Sequence, residues 1–402
     1  MRFLPTLFRK SIIKGQLTLI SPDGSSEVFG TKDDSAPVVI RINDKSLDWK
    51  IPFNPELKAA EAYMDGTLEI LEGDVYDFLL LFYRNRRQFD RSPGQIFWGT
   101  LSRKLRRLQQ HNPVTQSRAH VKHHYDLKDE LFDLFLDESK QYSCAYFPTG
   151  KETLEQAQIE KKNHIIKKLN IKPGQTVLDI GCGWGGLAIE IAERYDVQVK
   201  GITLSENQAR IARQNASDAG LSARVSFDIC DYRHLTEKFD RVVSVGMLEH
   251  VGAYHLKEYF RTVRNLLGPD GVALIHSIST KSPPGITGPF IRKYIFPNGY
   301  SPAMSEIVSA VELSGLWVLD VEVLRHHYGH TLHEWRNRFA AQRDEAVAMY
   351  DERFARMWEF YLAACEGVFM HGSANVVQIQ LGREADGVPL TRGYLYKNTK
   401  KK

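Results

Sequence analysis

The spacing of apolar and polar positions changes character along this chain, and the changes divide it. In residues 1–83 short apolar runs alternate with turn chemistry. Leu17-Thr-Leu-Ile20 and Val38-Val-Ile-Arg-Ile42 are predicted strands, and Pro22-Asp-Gly24 has the composition of a turn. Glu56 to Met64 and Val75 to Phe82 have helical spacing, with Asp65-Gly66 breaking between them. This stretch reads as a small α+β unit without a catalytic constellation, suited to a scaffold or to holding substrate.

After Pro93-Gly94, Phe97, Leu101, Leu105 and Leu108 recur at helical intervals, with Arg103, Lys104, Arg106 and Arg107 between them. The pattern predicts a basic amphipathic helix. Its stripe can pack on the protein, or it can face a membrane surface or a nucleic acid. Asn112-Pro113 then marks a linker end.

From about Leu169 strands and helices alternate. Val177 to Ile180 is a short buried strand, Gly181-Cys-Gly-Trp-Gly-Gly186 a glycine-rich turn, and Leu187 to Arg194 a helix. Val197 to Thr203, Val225 to Ile229, Arg241 to Val245 and Val272 to His276 are further predicted strands. Glu206 to Ala219 is a helix, and His255 to Leu267 another, ended by Gly268-Pro269. Repeated βα units predict a doubly wound, mostly parallel sheet. Val318 to Leu324 and Val376 to Leu381 complete it, and His330 to Met370 carries a long helical stretch.

Composition narrows the class. With 402 residues, 43% hydrophobic and 25% charged, the chain is a soluble globular protein long enough for two domains. The expected division is an N-terminal scaffold or substrate-assisting domain at 1–83, a basic amphipathic linker at 84–122 and a larger α/β domain at 123–402. No run reaches the ~18 consecutive apolar residues of a spanning helix, and the N-terminus lacks a signal-peptide pattern. Four cysteines without a CxxC pair fit neither a disulfide scaffold nor a Cys-rich zinc site. No metal is expected, and the cytoplasm is the expected compartment. Charge changes the picture further. The formal net charge is +4, yet residues 84–122 hold ten basic residues against one acid. A mildly acidic body carrying one basic belt predicts a polyanionic surface as partner.

The glycine loop is the sharpest chemical signal. A glycine-rich turn after a first strand lets a ligand approach the backbone and aims helix N–H groups at it. Asp179-Ile-Gly-Cys-Gly-Trp-Gly-Gly186 has its glycines too close for the dinucleotide fingerprint. With Val177-Leu-Asp-Ile180 and the following βα units, it resembles motif I of class I S-adenosylmethionine-dependent methyltransferases. An acid usually ends the second strand of that superfamily. Here Gly201-Ile-Thr-Leu-Ser-Glu-Asn-Gln208 stands instead, a string similar to that of the cyclopropane-fatty-acid and mycolic-acid cyclopropane synthases. His124-Tyr-Asp-Leu127, Gln141-Tyr-Ser-Cys-Ala-Tyr-Phe147, Phe239 to Gly252, His276-Ser-Ile278 and Tyr328 with Thr331-Leu332 resemble further motifs of that family. Lys128-Asp129 replaces its Gly-Asn. The N-terminal region resembles the extra domain of the bacterial phospholipid enzymes.

The resemblance implies a class I methyltransferase fold with a smaller N-terminal α+β domain, and transfer of a methylene group from S-adenosylmethionine to a cis double bond of a phospholipid acyl chain. It implies that Gly181, Gly183 and Gly185 face the methionine end of the cofactor, with Tyr142 and Ser143 near it. Thr203 and Gln208 would bind ribose, and Asp231 and Tyr232 would meet adenine. It further implies that Cys144, Glu249, His276, Ile278 through its backbone, and Tyr328 hold a bicarbonate ion that takes the proton. The residues alone show only a Glu/His pair on adjacent strands, which without the motifs reads as an ordinary strand-end hydrogen bond. Tyr142, Tyr146 and Phe147 are candidates to face a carbocation. Cys144 as a nucleophile and Cys365 as a catalytic thiol are lesser readings. The expected partners are an anionic phospholipid bilayer surface, reached from the cytoplasmic side of the inner membrane, and unsaturated acyl chains. A homodimer is open, and no nucleic acid is expected. The rival functions are a methyl- or methylene-branching fatty-acyl methyltransferase, a nucleic-acid methyltransferase and a lipid-binding pseudoenzyme.

Overall fold

The computed structural model describes residues 1–89 and 127–396, and the chain separates into two compact units. The predicted amphipathic helix and its basic residues beyond Phe89 lie outside the described residues.

The first unit contains, of the described residues, 1–89 together with Ile286–Pro297 and Leu332–Ser373. Four strands, β1 (Gly15–Ile20), β2 (Ser26–Thr31), β3 (Val38–Ile42) and β4 (Leu68–Glu72), form a sheet in the order β2-β1-β3-β4. Pairing is antiparallel for β1/β2 and β3/β4 and parallel for β1/β3. The predicted strands are β1 and β3. Sequence patterning passed over β2, β4 and the helices Phe3–Ser11 and Leu47–Phe53. One face of the sheet buries Leu17, Leu19, Ile40 and Ile42 against Leu4, Phe8, Phe78 and Leu81. Asp74 opens the helix Val75–Arg84 through a capping box with Asp77. The predicted long helix is three: His327–Ala341, Arg343–Met349 and Glu352–Met370. In the last, Gly367 lets the ring of Tyr83 lie against the backbone, and the Tyr83 hydroxyl donates to the Ala364 carbonyl at 2.9 Å.

The second unit is built on seven strands: β5 (Thr176–Ile180), β6 (Gln198–Thr203), β7 (Val225–Ile229), β8 (Phe239–Val245), β9 (Leu267–Thr280), β10 (Trp317–Val323) and β11 (Ala374–Gly382). Their order is β10-β11-β9-β8-β5-β6-β7. The five from β9 to β7 are parallel, whereas β11 runs antiparallel to both β9 and β10. Alternate residues enter two hydrophobic clusters. Leu178, Val242 and Ile275 enter one, and Val177, Val243 and Leu274 the other, so helices cover both faces. This is the predicted doubly wound α/β sheet. Winding reverses at β5, which has β6 on one side and β8 on the other, and ligands bind such sheets at that switch point.

One boundary departs from expectation. The helix stops at Leu266, and strand β9 begins at once at Leu267, so Gly268-Pro269 lies inside a strand. Pairing of Leu267 with Phe239 of β8, with a register shift beyond it, overrides the local turn chemistry.

Candidate functional site

All the chemistry at the carboxyl edge of the second unit's sheet starts from the loop after β5. Gly181, Gly183 and Gly185 have φ of +80°, +55° and +86°, a backbone that side-chain-bearing residues rarely adopt. The Gly181 and Cys182 N–H groups both donate to the Ile202 carbonyl of β6, which folds the turn back over the strand ends. A side chain on Gly185 would meet the Phe227 ring at 2.6 Å, whereas one on Gly183 would meet nothing within 4 Å. Gly185 is therefore a packing glycine. Gly183 borders open space, as a ligand cradle requires. Asp179, at the end of β5, is buried, and burial pushes its carboxyl up to about 7 against the pull of nearby Lys161.

The other predicted cofactor residues fall on the neighbouring strand ends. Thr203 closes β6, and its hydroxyl donates to Gln208 Oε1 at 3.0 Å, while the Ser205 side chain caps the helix Glu206–Asp218. The structure thus brings Thr203 and Gln208 together as an uncharged pair. Asp231 and Tyr232 follow β7. The Asp231 carboxylate is held by Arg233, with Oδ1 accepting from Nε at 2.9 Å and Oδ2 from Nη2 at 2.7 Å, and these bonds keep it charged against burial. Tyr142 packs edge-to-face on Phe132, which packs edge-to-face on Trp184 of the glycine loop.

Glu249 follows β8 as expected, whereas His276 lies inside β9, which runs past the expected end to Thr280; the two are not joined to each other by a hydrogen bond. Glu249 Oε1 accepts the Ile278 backbone N–H at 2.5 Å. Oε2 is buried and has no hydrogen-bond partner. Burial pushes this carboxyl up to about 7, opposed by the Ile278 N–H. The N–H expected to face an anion is therefore taken by Glu249. His276 is fully buried, and burial with the positive field of Lys161 and Lys168 holds its imidazole well below its usual range. Its Nδ1 meets the Gln378 side-chain amide at 3.1 Å.

Cys144 is buried, its thiol donates to the Ala145 carbonyl at 3.3 Å, and burial raises its pKa far from any thiolate. It is not an activated nucleophile. The segment around it is fastened to the helix His327–Ala341 through Ala145 N–H to Thr331 Oγ1 and Phe147 N–H to His327 Nδ1, both 3.0 Å. Tyr328 lies in the first turn of that helix, half-buried. Tyr146 is corrected as a cation-facing ring: it is stacked on His164 at 4.4 Å and on His327 at 4.8 Å. Cys365 belongs to the first unit, on Glu352–Met370, where burial pushes its thiol up to about 12.

Four buried or bridging polar residues escaped sequence reasoning. Lys161 donates to Gln141 Oε1 at 2.6 Å and Ser143 Oγ at 2.9 Å, and burial lowers it to about 8. Lys168 and Gln378 bond each other at 2.8 Å. Asp129 accepts from Trp184 Nε1 at 3.3 Å and Asn207 Nδ2 at 2.6 Å, bracing the glycine loop against the segment after β6. A signal existed in the heptad spacing of Lys161 and Lys168, which places them on one helix face.

Residues 112–379 match the protein family described as Mycolic acid cyclopropane synthetase, and residues 3–93 match a domain of unknown function. The chain is 38% identical over 351 residues to the cyclopropane-fatty-acyl-phospholipid synthase of Escherichia coli (strain K12), covering 87% of this chain and 89% of that protein. It is 34% identical to the tuberculostearic acid methyltransferase UfaA1 of Mycobacterium tuberculosis over 401 residues, 94% of this chain and 90% of that one. The solved structure of the mycolic acid cyclopropane synthase CmaA1, complexed with SAH and CTAB, aligns with a TM-score of 0.63 and 34% identity over 68% of this chain and 99% of that one. The fold is that of the class I S-adenosylmethionine-dependent methyltransferases. With its glycine cradle, its Thr203–Gln208 pair and its Glu249 carboxyl all on one sheet edge, the chain belongs to the mycolic acid cyclopropane synthetase family.

Proposed function

We propose that this protein transfers a methylene group from S-adenosylmethionine to the cis double bond of an unsaturated acyl chain in a membrane phospholipid, forming a cyclopropane ring. The observation that carries the reading is the buried, half-satisfied carboxyl of Glu249 at the same sheet edge as the Gly183 cradle. An unpaired buried carboxyl oxygen is costly and marks a place built for a polar ligand. S-adenosylmethionine supplies an electrophilic methyl group. The alkene carbon bonds to that methyl as the carbon–sulfur bond breaks, and the second carbon is left cationic. Loss of a proton from the new methyl closes the ring.

The chain's own residues have three tasks in this reading. Gly181, Gly183, Tyr142 and Ser143 receive the methionine end of the cofactor, and Gly185 closes the turn by packing on Phe227. Thr203 and Gln208 receive the ribose, and Asp231 and Tyr232 the adenine. Cys144, Glu249, His276 and Tyr328 hold a bicarbonate ion, which when bound would supply a base for the methyl proton, and the Ile278 N–H acts only through Glu249, whose Oε1 it fixes. The protonated form favoured by burial lets Glu249 donate from Oε2 to such an anion. The N-terminal unit assists in holding lipid, and the basic belt draws the enzyme to an anionic bilayer from the cytoplasmic side. No helix among the described residues is long and apolar enough to cross a membrane.

The test is incubation of purified protein with isotopically labelled S-adenosylmethionine and vesicles of a cis-unsaturated phosphatidylglycerol. Label should enter the acyl chain as a CH₂ with the upfield proton resonances of a cyclopropane. A second reading, a branched product, is favoured by the likeness to UfaA1. It predicts the vinylidene protons of a branching methylene, or a branch-methyl resonance, instead. No label in lipid would remove both readings.

A further inference from the structure

Lys168 and Gln378 belong to none of the sequence motifs, yet they lie directly behind His276. Lys168, at the end of the helix Leu154–Leu169, has a side chain only 2% exposed. Its Nζ donates to Gln378 Oε1 at 2.8 Å and also pairs with Glu322 of β10. An ammonium can only donate, so the amide oxygen of Gln378 must face it. The amide nitrogen then faces the other way, 3.1 Å from His276 Nδ1. An amide N–H can only donate, so Nδ1 must accept. A neutral imidazole that accepts at Nδ1 carries its proton at Nε2.

We infer that Lys168 and Gln378 are positioning residues that lock His276 as the neutral Nε2–H tautomer, so that it meets a ligand as a hydrogen-bond donor and never as the base. The groups around it agree. Lys161, Lys168 and His164, all on the helix Leu154–Leu169, add positive potential that disfavours an imidazolium. Of the two acids on β10, Glu322 is engaged by Lys168 and His164, and Asp320 by Arg392. Glu249, after β8, spends Oε1 on Ile278. Protonating Nδ1 would also set two donors against each other across the Gln378 contact. The consequence for the reaction is that the substrate's proton must go elsewhere than His276. This inference rests on the proposed placement of His276 in the catalytic site, but the lock itself is a property of the chain.

The experiment is nitrogen-15 NMR of the full-length protein labelled at histidine, with the His276 signals assigned by their loss in His276→Asn. The expected result is an unprotonated Nδ1 and a protonated Nε2 throughout about pH 5 to 8. Gln378→Glu replaces the donor by an acceptor and should move a proton onto Nδ1. With the donor misdirected, kcat should fall about 10- to 100-fold while KM for S-adenosylmethionine holds. Lys168→Met frees the amide to turn and should give mixed tautomers. An Nδ1–H imidazole, or a His276 titration within that range in the wild type, overturns the inference. So does wild-type kcat in Gln378→Glu once its proton has moved. The expected tautomer in a wild-type protein that transfers no label to unsaturated lipid leaves the lock standing and sinks the proposed function instead.

Discussion

Glu249 Oε1 accepts the Ile278 N–H at 2.5 Å while its second oxygen, equally buried, has no partner. A carboxyl held this way keeps its proton up to about 7, whereas in the unfolded chain it ionises near its ordinary value of 4.5. Between those values the folded state binds a proton that the unfolded state has released, so stability must fall as pH rises through that window. The slope from this group is at most about 1.4 kcal/mol per pH unit. Glu249→Gln should flatten the dependence, seen as denaturation midpoints that change less between the two ends of the window. In the same variant S-adenosylmethionine should bind nearly as in wild type, and turnover should drop by about 100-fold or more. Near-wild-type turnover would remove Glu249 from the reaction.

Two glycines of one loop should fail in different ways. A side chain at Gly183 meets no protein atom within 4 Å, so Gly183→Val should fold, with strain of about 1–2 kcal/mol from its positive φ, and lose S-adenosylmethionine binding. Gly185→Val would drive into Phe227 and Ala212 and should lower the melting temperature first. Calorimetry showing unchanged affinity in a folded Gly183→Val protein would make the loop purely structural.

What was legible in the chain, and what was not, follows from the range of the forces involved. The β5 loop could be read because positive φ demands glycine locally, and Glu249 and His276 because strand ends in a parallel sheet share an edge. The stop placed at Gly268-Pro269 failed because a long-range pairing, Leu267 with Phe239, decides that boundary. The breaks near Gln342 and Tyr350, which split one predicted helix into three, carry no glycine or proline. The Lys168–Gln378 pair was hidden for a related reason. Val377, Ile379 and Leu381 alternate with Gln378 and Gln380, and such alternation is the pattern of a strand with one wet face. Here that face is covered by the helix Leu154–Leu169, and both glutamines are buried.

Lys161 is the buried cation beside the Tyr142-Ser143 segment. Removing it as Lys161→Met strips Gln141 Oε1 and Ser143 Oγ of a charged donor worth roughly 1.5–3 kcal/mol. If that donor holds the segment against the cofactor, affinity for S-adenosylmethionine should weaken by about tenfold or more, with a smaller change in kcat. It should also let Asp179 keep its proton to higher pH, since Lys161 is the group that opposes its burial. Titration calorimetry on the folded variant decides the point: an unchanged dissociation constant means that Lys161 only stabilises the fold.

Membrane docking is the remaining expectation that a measurement can reach directly. The acyl double bond lies inside a bilayer, so an enzyme acting on it must bind the surface and draw a chain out. The N-terminal helix Phe3–Ser11 has too little to offer, because Leu4 and Phe8 are spent on the core and only Phe3 is well exposed. Residues 84–122, with ten basic residues against one acid, are expected to carry the stronger attraction. Each Lys or Arg near an anionic surface contributes about 1 kcal/mol, and salt weakens the effect as the Debye length shortens. Replacing Arg103, Lys104, Arg106 and Arg107 by Gln should therefore lower cosedimentation with phosphatidylglycerol vesicles by about 100-fold or more in partition coefficient. Activity on those vesicles should fall in step, S-adenosylmethionine affinity should hold, and high salt should reproduce the variant in the wild type. If the quadruple variant binds and modifies anionic vesicles as well as wild type, the belt is not the docking element. The exposed Phe3 and Trp49 of the N-terminal unit would then be the next residues to replace.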